Sequence, residues 1–184
     1  MQERLGSRNI MAMMEEKGAW SKSLSDDVQQ YIQNRNSCYL ATSSADGQPY
    51  IQHRGGPKGF VKVIDKNTLA FADFSGNRHY ITTGNLSENN NVQLFFMDYA
   101  NQRRVKVWGT AKVIEADDPL VKKLTDSSYK ATIERAIVID VSAWDINCAA
   151  HIPRLHPEEN VAIIMKKLED RIDELEAELK KTIP

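Results

Sequence analysis

The sequence predicts a mainly β protein of the α+β class: an antiparallel barrel of six or seven strands, with flanking helices and a C-terminal helix. Short runs of alternating apolar and polar residues recur between turn signals, and such runs favour a small barrel over a parallel sheet. Asp46-Gly47 and Asp65-Lys66-Asn67 each separate two of these runs, as hairpin turns do. A heptad pattern confined to the last segment indicates a helix outside the sheet.

Length and charge bound the organisation of the chain. Its 184 residues fit one domain, which we expect to comprise an N-terminal extension over 1–24, the barrel, and an amphipathic helix over 157–181. The 24 Lys and Arg residues nearly balance the 25 Asp and Glu residues. This balance provides no overall field for nucleic acid or an anionic membrane, so we predict neither as a partner and expect any anion site to be local.

The compartment follows from three absences in the sequence. The N-terminus has no continuous apolar stretch of the kind found in secretory signals. No run of 18 apolar residues suggests a membrane span. Cys38 and Cys148 are too few for a disulfide framework, and we expect both to be small buried hydrophobes. Together these observations predict a cytoplasmic protein.

The elements follow in order from Ser25. This residue precedes Asp26 and Asp27, which predicts an N-cap and an acidic first turn of a short helix. A second short helix is predicted over about 118–126. Strands are predicted in two runs within 37–56, and then over 60–64, 68–74, 91–99, 104–116 and 132–144, with 136–141 fully buried.

Alternation in the 104–116 strand separates a core face from a polar face. The core face carries Val105, Val107, Gly109, Ala111 and Val113. The opposite face carries Arg104, Lys106, Trp108, Thr110 and Lys112, and it forms either part of a pocket lining or a solvent-exposed surface.

The last segment has apolar residues at spacings of four, three, four, three and four, which is a heptad seam. They are Val161, Met165, Leu168, Ile172, Leu175 and Leu179. A helix of this kind either pairs with a symmetry mate or lies on its own barrel, and of the two we favour a homodimer.

A polar stretch, Ser75-Gly76-Asn77-Arg78-His79-Tyr80, follows the 68–74 strand and has the composition of an anion site. Its hydroxyl, amide and guanidinium groups donate hydrogen bonds, and Gly76 permits close backbone approach. A helix beginning near Asn77 would add free N–H groups. The alternative is a glycine-containing turn that caps a helix, with Arg78 solvated.

Two other stretches carry candidate functional groups. In residues 52–60, three glycines permit contact with a planar ligand beside Arg54, Lys58 and Lys62, although an irregular β-connection explains them equally. In residues 144–156, Cys148, His151 and His156 lack the spacing of a metal site, and we predict no metal. The common nucleotide, hydrolase and zinc-protease motifs do not occur.

The order of segments from about Ser37 to His156 resembles the pyridoxamine 5′-phosphate oxidase-related, FMN-binding split-barrel family. The resemblance rests on FVKVID, TLAFADFSGNRHY, NVQLFF, RRVKVWGTAKVI and WDINCAAHIPRLHP. It implies a split barrel, a homodimer with FMN between the subunits, and a phosphate site after the fourth strand.

The resemblance also implies site residues. The family's Gly-Ser-Arg-Lys phosphate motif falls on Gly76, Asn77, Arg78 and His79, with Ser75 beside it. The Arg104 position holds glutamine in the family oxidase, and arginine there favours a reduced, anionic flavin. The remaining implied cofactor contacts are Arg54, Gly55, Val61, Lys62 and Asp73, with Trp144 and Arg154 supplied by the partner chain.

The function implied is that of an FMN-binding oxidoreductase with an unidentified substrate and a nicotinamide or small organic electron donor. Arg154-Leu155-His156 matches part of the family's substrate segment, but Pro157 stands where its next arginine belongs, so we do not expect pyridoxamine phosphate as the substrate. Only His53 and His151 are candidate acids or bases. A non-catalytic flavin carrier or sensor, a haem-binding split barrel and a structural dimer without ligand are the alternatives.

Overall fold

The computed structural model describes residues 1–16, 20–126, 128–146 and 148–182. The strands in this part of the chain are β1 (Ser37–Ser43), β2 (Pro49–Gly55), β3 (Lys62–Asp65), β4 (Thr68–Phe74), β5 (Asn91–Asp98), β6 (Arg103–Glu115) and β7 (Ile133–Ile146). The helices are α1 (Arg8–Glu16), α2 (Asp26–Gln33), α3 (Ile81–Glu88), α4 (Pro119–Leu124) and α5 (Glu158–Thr182).

The strands form one antiparallel sheet in the order β2-β1-β5-β6-β7-β4-β3. The two predicted hairpins are confirmed, since β1 pairs with β2 and β3 pairs with β4. β2 and β3 lie at the two edges of an open sheet. This seven-stranded open sheet with flanking helices agrees with the predicted split barrel.

The long central strands carry the core. The predicted inner face of β6 is confirmed for Val105, Val107, Gly109 and Ala111, which are buried, while Val113 is partly buried against the same core. Their pairing with β7 shifts register between Trp108 and Gly109. A Cβ atom at Gly109 would lie 2.1 Å from the carbonyl oxygen of Asp140, so only glycine allows the two strands this approach.

Helix α2 closes one side of the barrel. The predicted cap is confirmed, because Ser25 Oγ accepts a hydrogen bond from the Val28 amide at 3.4 Å. Val28, Tyr31 and Ile32 are buried on the inner face of the helix. The Tyr31 hydroxyl lies within hydrogen-bond distance of the carbonyl oxygens of Phe96 and Arg103, at 3.3 and 3.1 Å, which joins α2 to β5 and β6.

The terminal helices differ from the barrel because they bury little. No residue of α1 is buried, and every side chain of α5 described as far as Lys180 is exposed. None of the helices in the described ranges has the length and apolar character that crossing a bilayer requires.

Cys38 is buried as predicted, whereas the expectation for Cys148 is wrong: it lies exposed after β7. The division of 1–184 as one domain stays a prediction.

Candidate functional site

A cavity of about 210 Å³ lies between β2, β4 and the loop that leads from β4 into α3. It combines aromatic side chains with charged and amide groups. Its lining comprises Gln52, His53, Arg54, Gly55, Phe60, Phe71, Ala72, Asp73, Phe74, Gly76, Asn77, Arg78, Tyr80, Thr82, Thr83 and Glu134.

The cavity occupies the opening of the split barrel. β2 is an edge strand and β4 lies next to the opposite edge, so the two are distant in the order of the sheet. Arg54 of β2 nevertheless forms an ion pair with Asp73 of β4, with 2.6 Å between Nη1 and Oδ1. This contact joins the two ends of the open sheet across the opening.

Helix α3 is anchored over the first hairpin by side-chain hydrogen bonds. The Thr82 hydroxyl donates to Gln52 Oε1 at 2.9 Å. Asn85 and Asn89 donate to the hydroxyls of Thr42 and Ser43, at 2.9 and 2.8 Å. These contacts hold α3 against the first hairpin, and Thr82 and Thr83 at its start line the cavity.

A second arginine supports the ion pair from β7. Arg135 Nε lies 3.9 Å from Asp73 Oδ2, and Arg135 Nη2 lies 3.2 Å from Glu134 Oε2. The Arg135 guanidinium also lies 5.0 Å from the centre of the Tyr80 ring, a cation–π distance. Two guanidinium groups and two carboxylates thus form one charged cluster, of which Arg54, Asp73 and Glu134 line the cavity and Arg135 lies behind them.

The hydrogen bonding of this cluster is incomplete. Arg54 Nε and Arg135 Nε are buried without a hydrogen-bond partner in the described residues. Burial raises the pKa of Asp73, and its effect outweighs the attraction of Arg54 and Arg135. Buried donors without acceptors and a carboxyl with a raised pKa, at the wall of a cleft, are typical of functional sites.

The loop between β4 and α3 contains no helix start near Asn77, so the free N–H groups that such a start would have added there are not present. Arg78 and Tyr80 have φ angles of 56° and 51°, in the left-handed region, which interrupts a right-handed helix. Asn77 Oδ1 accepts a hydrogen bond from the His79 amide at 3.2 Å, so its side chain stabilises the turn. The helix begins at Ile81.

Arg78 is the exposed cation at the rim of this cavity. Its side chain makes no hydrogen bond or ion pair with any other residue in the described ranges. The space beside the Cα atom of the nearby Gly76 is unfilled. The guanidinium is therefore solvated, as the turn interpretation expected, and it is also free to receive an anion at the cavity mouth.

The cavity brings together Arg54, Gly55, Asp73, Asn77 and Arg78 of the predicted cofactor contacts. Ser75 and His79 belong to the same loop but do not line it. Val61 is fully buried in the core, and Lys62 lies at the start of β3. The roles of all these residues stay predictions.

Three other predicted contacts lie away from this cavity. Trp144 donates from Nε1 to the Ser23 carbonyl at 2.9 Å, and Arg154 donates to Gln102 Oε1 at 3.2 Å. Arg104 is half-buried on β6, with its Nε unmatched in the described residues. Their contribution to a site stays a prediction, which for Trp144 and Arg154 involves a partner chain.

The glycines of residues 52–60 have explanations within the chain itself. A Cβ atom at Gly56 would lie 2.8 Å from Phe60 Cβ. Gly59 has a φ of +76°, and a Cβ there would lie 2.9 Å from the Gln33 carbonyl oxygen. Packing and turn geometry therefore require both, whereas Gly55 lines the cavity.

The 144–156 stretch folds as a connection to α5. Gln102 donates to the Ile152 carbonyl at 2.7 Å, and Ile152 is buried. Asn147 of this stretch lies outside the described residues. Across the described ranges, no group of three His, Cys, Asp or Glu side chains is arranged to hold a metal ion.

Several residues around the cavity were not singled out from the sequence. These are Gln52, Thr82, Thr83, Glu134 and Arg135. One signal was present for the last two, because Glu134-Arg135 places two charges immediately before the buried run of β7. Nothing in the sequence paired them with Asp73, which lies on another strand.

Comparison with protein families gave one match, and it covers most of the chain. Residues 24–159 match the family model described as pyridoxamine 5′-phosphate oxidase. No curated protein matches the chain.

Solved structures share the fold at low sequence identity. HupZ from Group A Streptococcus is 15% identical, with a TM-score of 0.56 over 72% of this chain and 100% of that one. A suggested pyridoxamine 5′-phosphate oxidase from Lactobacillus delbrueckii is 24% identical, with a TM-score of 0.53 over 68% of this chain and 95% of that one. An FMN-binding protein from Syntrophomonas wolfei is 14% identical, with a TM-score of 0.52 over 80% of this chain and 97% of that one.

Proposed function

The chain belongs to the pyridoxamine 5′-phosphate oxidase family, and from this and the geometry of the cavity we propose that it is a cytoplasmic, homodimeric FMN-binding oxidoreductase. The solved relative from Syntrophomonas wolfei is named as an FMN-binding protein, which is in keeping with this ligand. The observation that carries the proposal is Arg78, exposed and unpaired among the described residues at the mouth of a polar cavity.

The phosphate end of FMN fits the 75–80 loop. Arg78 offers two donors to phosphate oxygens, and a charge-assisted contact of this kind is stronger than one between neutral groups. Gly76 leaves space for an anion, since a Cβ there would meet only the Phe74 carbonyl oxygen, at 4.0 Å. Asn77 and Arg78 both line the cavity, and Ser75 and His79 lie on the same loop.

The ring end fits the wall formed by β2 and β4. Arg54 Nε is a buried donor without an acceptor in the described residues, and a heteroatom of the ring would satisfy it. The cavity of about 210 Å³ is smaller than the ~300 Å³ at the low end of ligand pockets. We therefore propose that a second subunit enlarges the enclosure, with Trp144 and Arg154 of that subunit as its contribution.

The division of chemical tasks follows from these contacts. Bound FMN would supply the electron transfer between a donor, which we take to be NADH, NADPH or a small organic molecule, and an acceptor. The Arg54–Asp73 pair keeps a guanidinium fixed at the cavity wall. His53 is the histidine among the lining residues and is the candidate to hold a proton there.

The first experiment measures retention of two flavins that differ only in the phosphate. Replacing Arg78 by Ala removes the charge-assisted contact, so FMN binding should fall by about tenfold or more, whereas riboflavin binding changes little. Arg8→Ala, which removes an exposed arginine of α1, is the control and should leave both affinities unchanged. Equal loss of FMN and riboflavin in Arg78→Ala would place the phosphate elsewhere.

The same purified protein tests the chemistry. Its bound molecule is released by heat and identified by mass, and the loaded protein is mixed with NADH or NADPH without oxygen. Bleaching of the flavin absorption supports the reductase. Retained colour with every donor would favour a flavin carrier or sensor, and a Soret band without flavin absorption would contradict FMN in favour of haem.

A further inference from the structure

The C-terminal helix α5 exposes a continuous apolar stripe. The six seam residues, Val161, Met165, Leu168, Ile172, Leu175 and Leu179, are between 41% and 61% exposed. The preceding residues from Pro153 onward are exposed as well, so within the described structure the helix does not lie on its own barrel. An exposed stripe of this length on a helix of about 37 Å indicates a binding surface.

The spacing of the stripe indicates what covers it. Met165, Ile172 and Leu179 occupy the first apolar position of successive heptads, and Val161, Leu168 and Leu175 occupy the second. A β-branched residue at the first position with leucine at the second favours two parallel strands. The middle of the seam has this arrangement, with Ile172 between Leu168 and Leu175, whereas Met165 and Leu179 are unbranched at Cβ.

The charges beside the stripe distinguish parallel from antiparallel pairing. In a parallel, in-register pair, Arg171 of each copy faces Glu176 of the other, so the two-fold symmetry gives two such attractive contacts. In an antiparallel pair with the same apolar layers, Glu169 of one copy faces Glu176 of the other and repels it, while Arg171 faces Glu178 and attracts it, so the two contacts offset each other. Charge complementarity therefore selects a second copy in the parallel orientation.

We propose that α5 forms a parallel, in-register, two-stranded coiled coil with α5 of a second copy of this chain. This surface is separate from the cavity and does not depend on a bound flavin. If the barrels also pair, the two helices meet at a high effective concentration, which offsets the small number of heptads. A parallel pair also holds both barrels at the same end of the coiled coil.

Two single-cysteine variants test the orientation in the full chain. Val161→Cys and Leu175→Cys are each made in a Cys148→Ser background, which removes the exposed native thiol. The two positions are about 21 Å apart along the helix. A parallel, in-register pair oxidises to a covalent dimer at both, whereas an antiparallel pair places at most one of the two positions against itself.

The control for collision is Asp173→Cys, which puts an exposed thiol on α5 away from the apolar stripe. We expect efficient cross-linking of the Val161→Cys and Leu175→Cys variants and little of Asp173→Cys. Cross-linking at one seam position alone, at neither, or equally at Asp173→Cys would overturn the proposal. Flavin content is measured on the same samples, so failure of the coiled coil is distinguishable from failure of FMN binding.

A charge exchange tests the flanking contact. Arg171→Glu places glutamate opposite Glu176 of the second copy and should lower the rate of Leu175→Cys cross-linking several-fold. Adding Glu176→Arg should restore it. Arg171 also contacts Glu174 within its own helix at 2.7 Å, and the exchange does not rebuild that contact. Recovery of the cross-linking rate in the double variant can therefore come only from the pair between the two copies. A rate that stays low would contradict that pair.

Discussion

Two Arg–Asp ion pairs in this protein have similar burial but different surroundings. Arg35 and Asp98 lie 2.9 Å apart, with side chains 19% and 8% exposed. Arg54 and Asp73 lie 2.6 Å apart, with side chains 14% and 10% exposed. The first pair joins the connection between α2 and β1 to the last residue of β5, and the second lines the cavity.

Asp98 has a full set of donors. Asn101 donates to it from the backbone amide at 3.1 Å and from Nδ2 at 3.0 Å. Burial opposes ionisation of Asp98, but the donors of Asn101 and the Arg35 guanidinium outweigh it and lower its pKa. The carboxylate is therefore a stable structural centre for this part of the barrel.

Asp73 has arginines alone as its partners in the described residues, and burial raises its pKa. The same kind of ion pair is thus satisfied where it supports the fold and incompletely satisfied where it faces a cavity. We infer that the unpaired Nε of Arg54 is available to a ligand. A buried donor without an acceptor lowers the stability of the free protein, and functional sites commonly carry such a cost.

The largest expected effect separates the two carboxylates by substitution. Asp98→Asn leaves Arg35 without its charge partner and puts an NH₂ group where two donors now converge, so the free energy of unfolding should fall by about 3 kcal/mol. Asp73→Asn should cost only about 1–2 kcal/mol, because burial already penalises its charge. Urea unfolding measures both, with exposed Asp140→Asn as the control. Equal losses would remove the distinction.

A second, smaller effect is the opposite pH dependence of the two carboxyls. The lowered pKa of Asp98 means that its contribution to stability is present above the unfolded value of about 3.9 and is lost as pH falls through the folded value. The raised pKa of Asp73 means that its contribution is present below about 3.9 and is lost as pH rises through the folded value.

Unfolding of the wild type and of each Asn variant between about pH 3 and pH 7 checks these signs. The difference between wild type and Asp98→Asn should shrink toward acid pH. The difference between wild type and Asp73→Asn should shrink toward neutral pH. The same sign for both carboxyls would show that Asp73 is stabilised as fully as Asp98.

The smallest expected effect concerns the loop beside the cavity. Arg78 is exposed and has no partner in the described residues, so Arg78→Ala should change the free energy of unfolding by no more than about 0.5 kcal/mol. Urea unfolding of the ligand-free protein measures it. A larger loss would mean that Arg78 supports the fold. Part of the loss of FMN binding in Arg78→Ala would then come from lower stability and not from the missing phosphate contact.

Local patterns predicted most of the secondary structure. Alternation, hairpin dipeptides and the Ser25 cap placed the strands and α2 to within about two residues, because these features depend on neighbours in the chain. The absence of a helix start near Asn77 has a local cause as well, since Arg78 and Tyr80 adopt the left-handed conformation, which their residue types do not indicate.

The candidate site was predicted in part. The 75–80 loop is one continuous stretch, so its composition was enough to nominate Arg78. Glu134, Arg135 and Thr82 were missed because they come from β7 and α3 and meet the cavity only after the sheet has curled.

By itself, the sequence determined the antiparallel strands, the two hairpins, the polar loop after β4 and the heptad seam, all of which depend on residues near one another in the chain. Only the tertiary structure decided that Arg54 meets Asp73, 19 residues further on, and that α5 lies clear of its barrel. The first depends on how the edges of an open sheet approach each other in space, and the second on whether the barrel offers the helix a surface to pack against. The alternation of side chains along a strand carries no information about either.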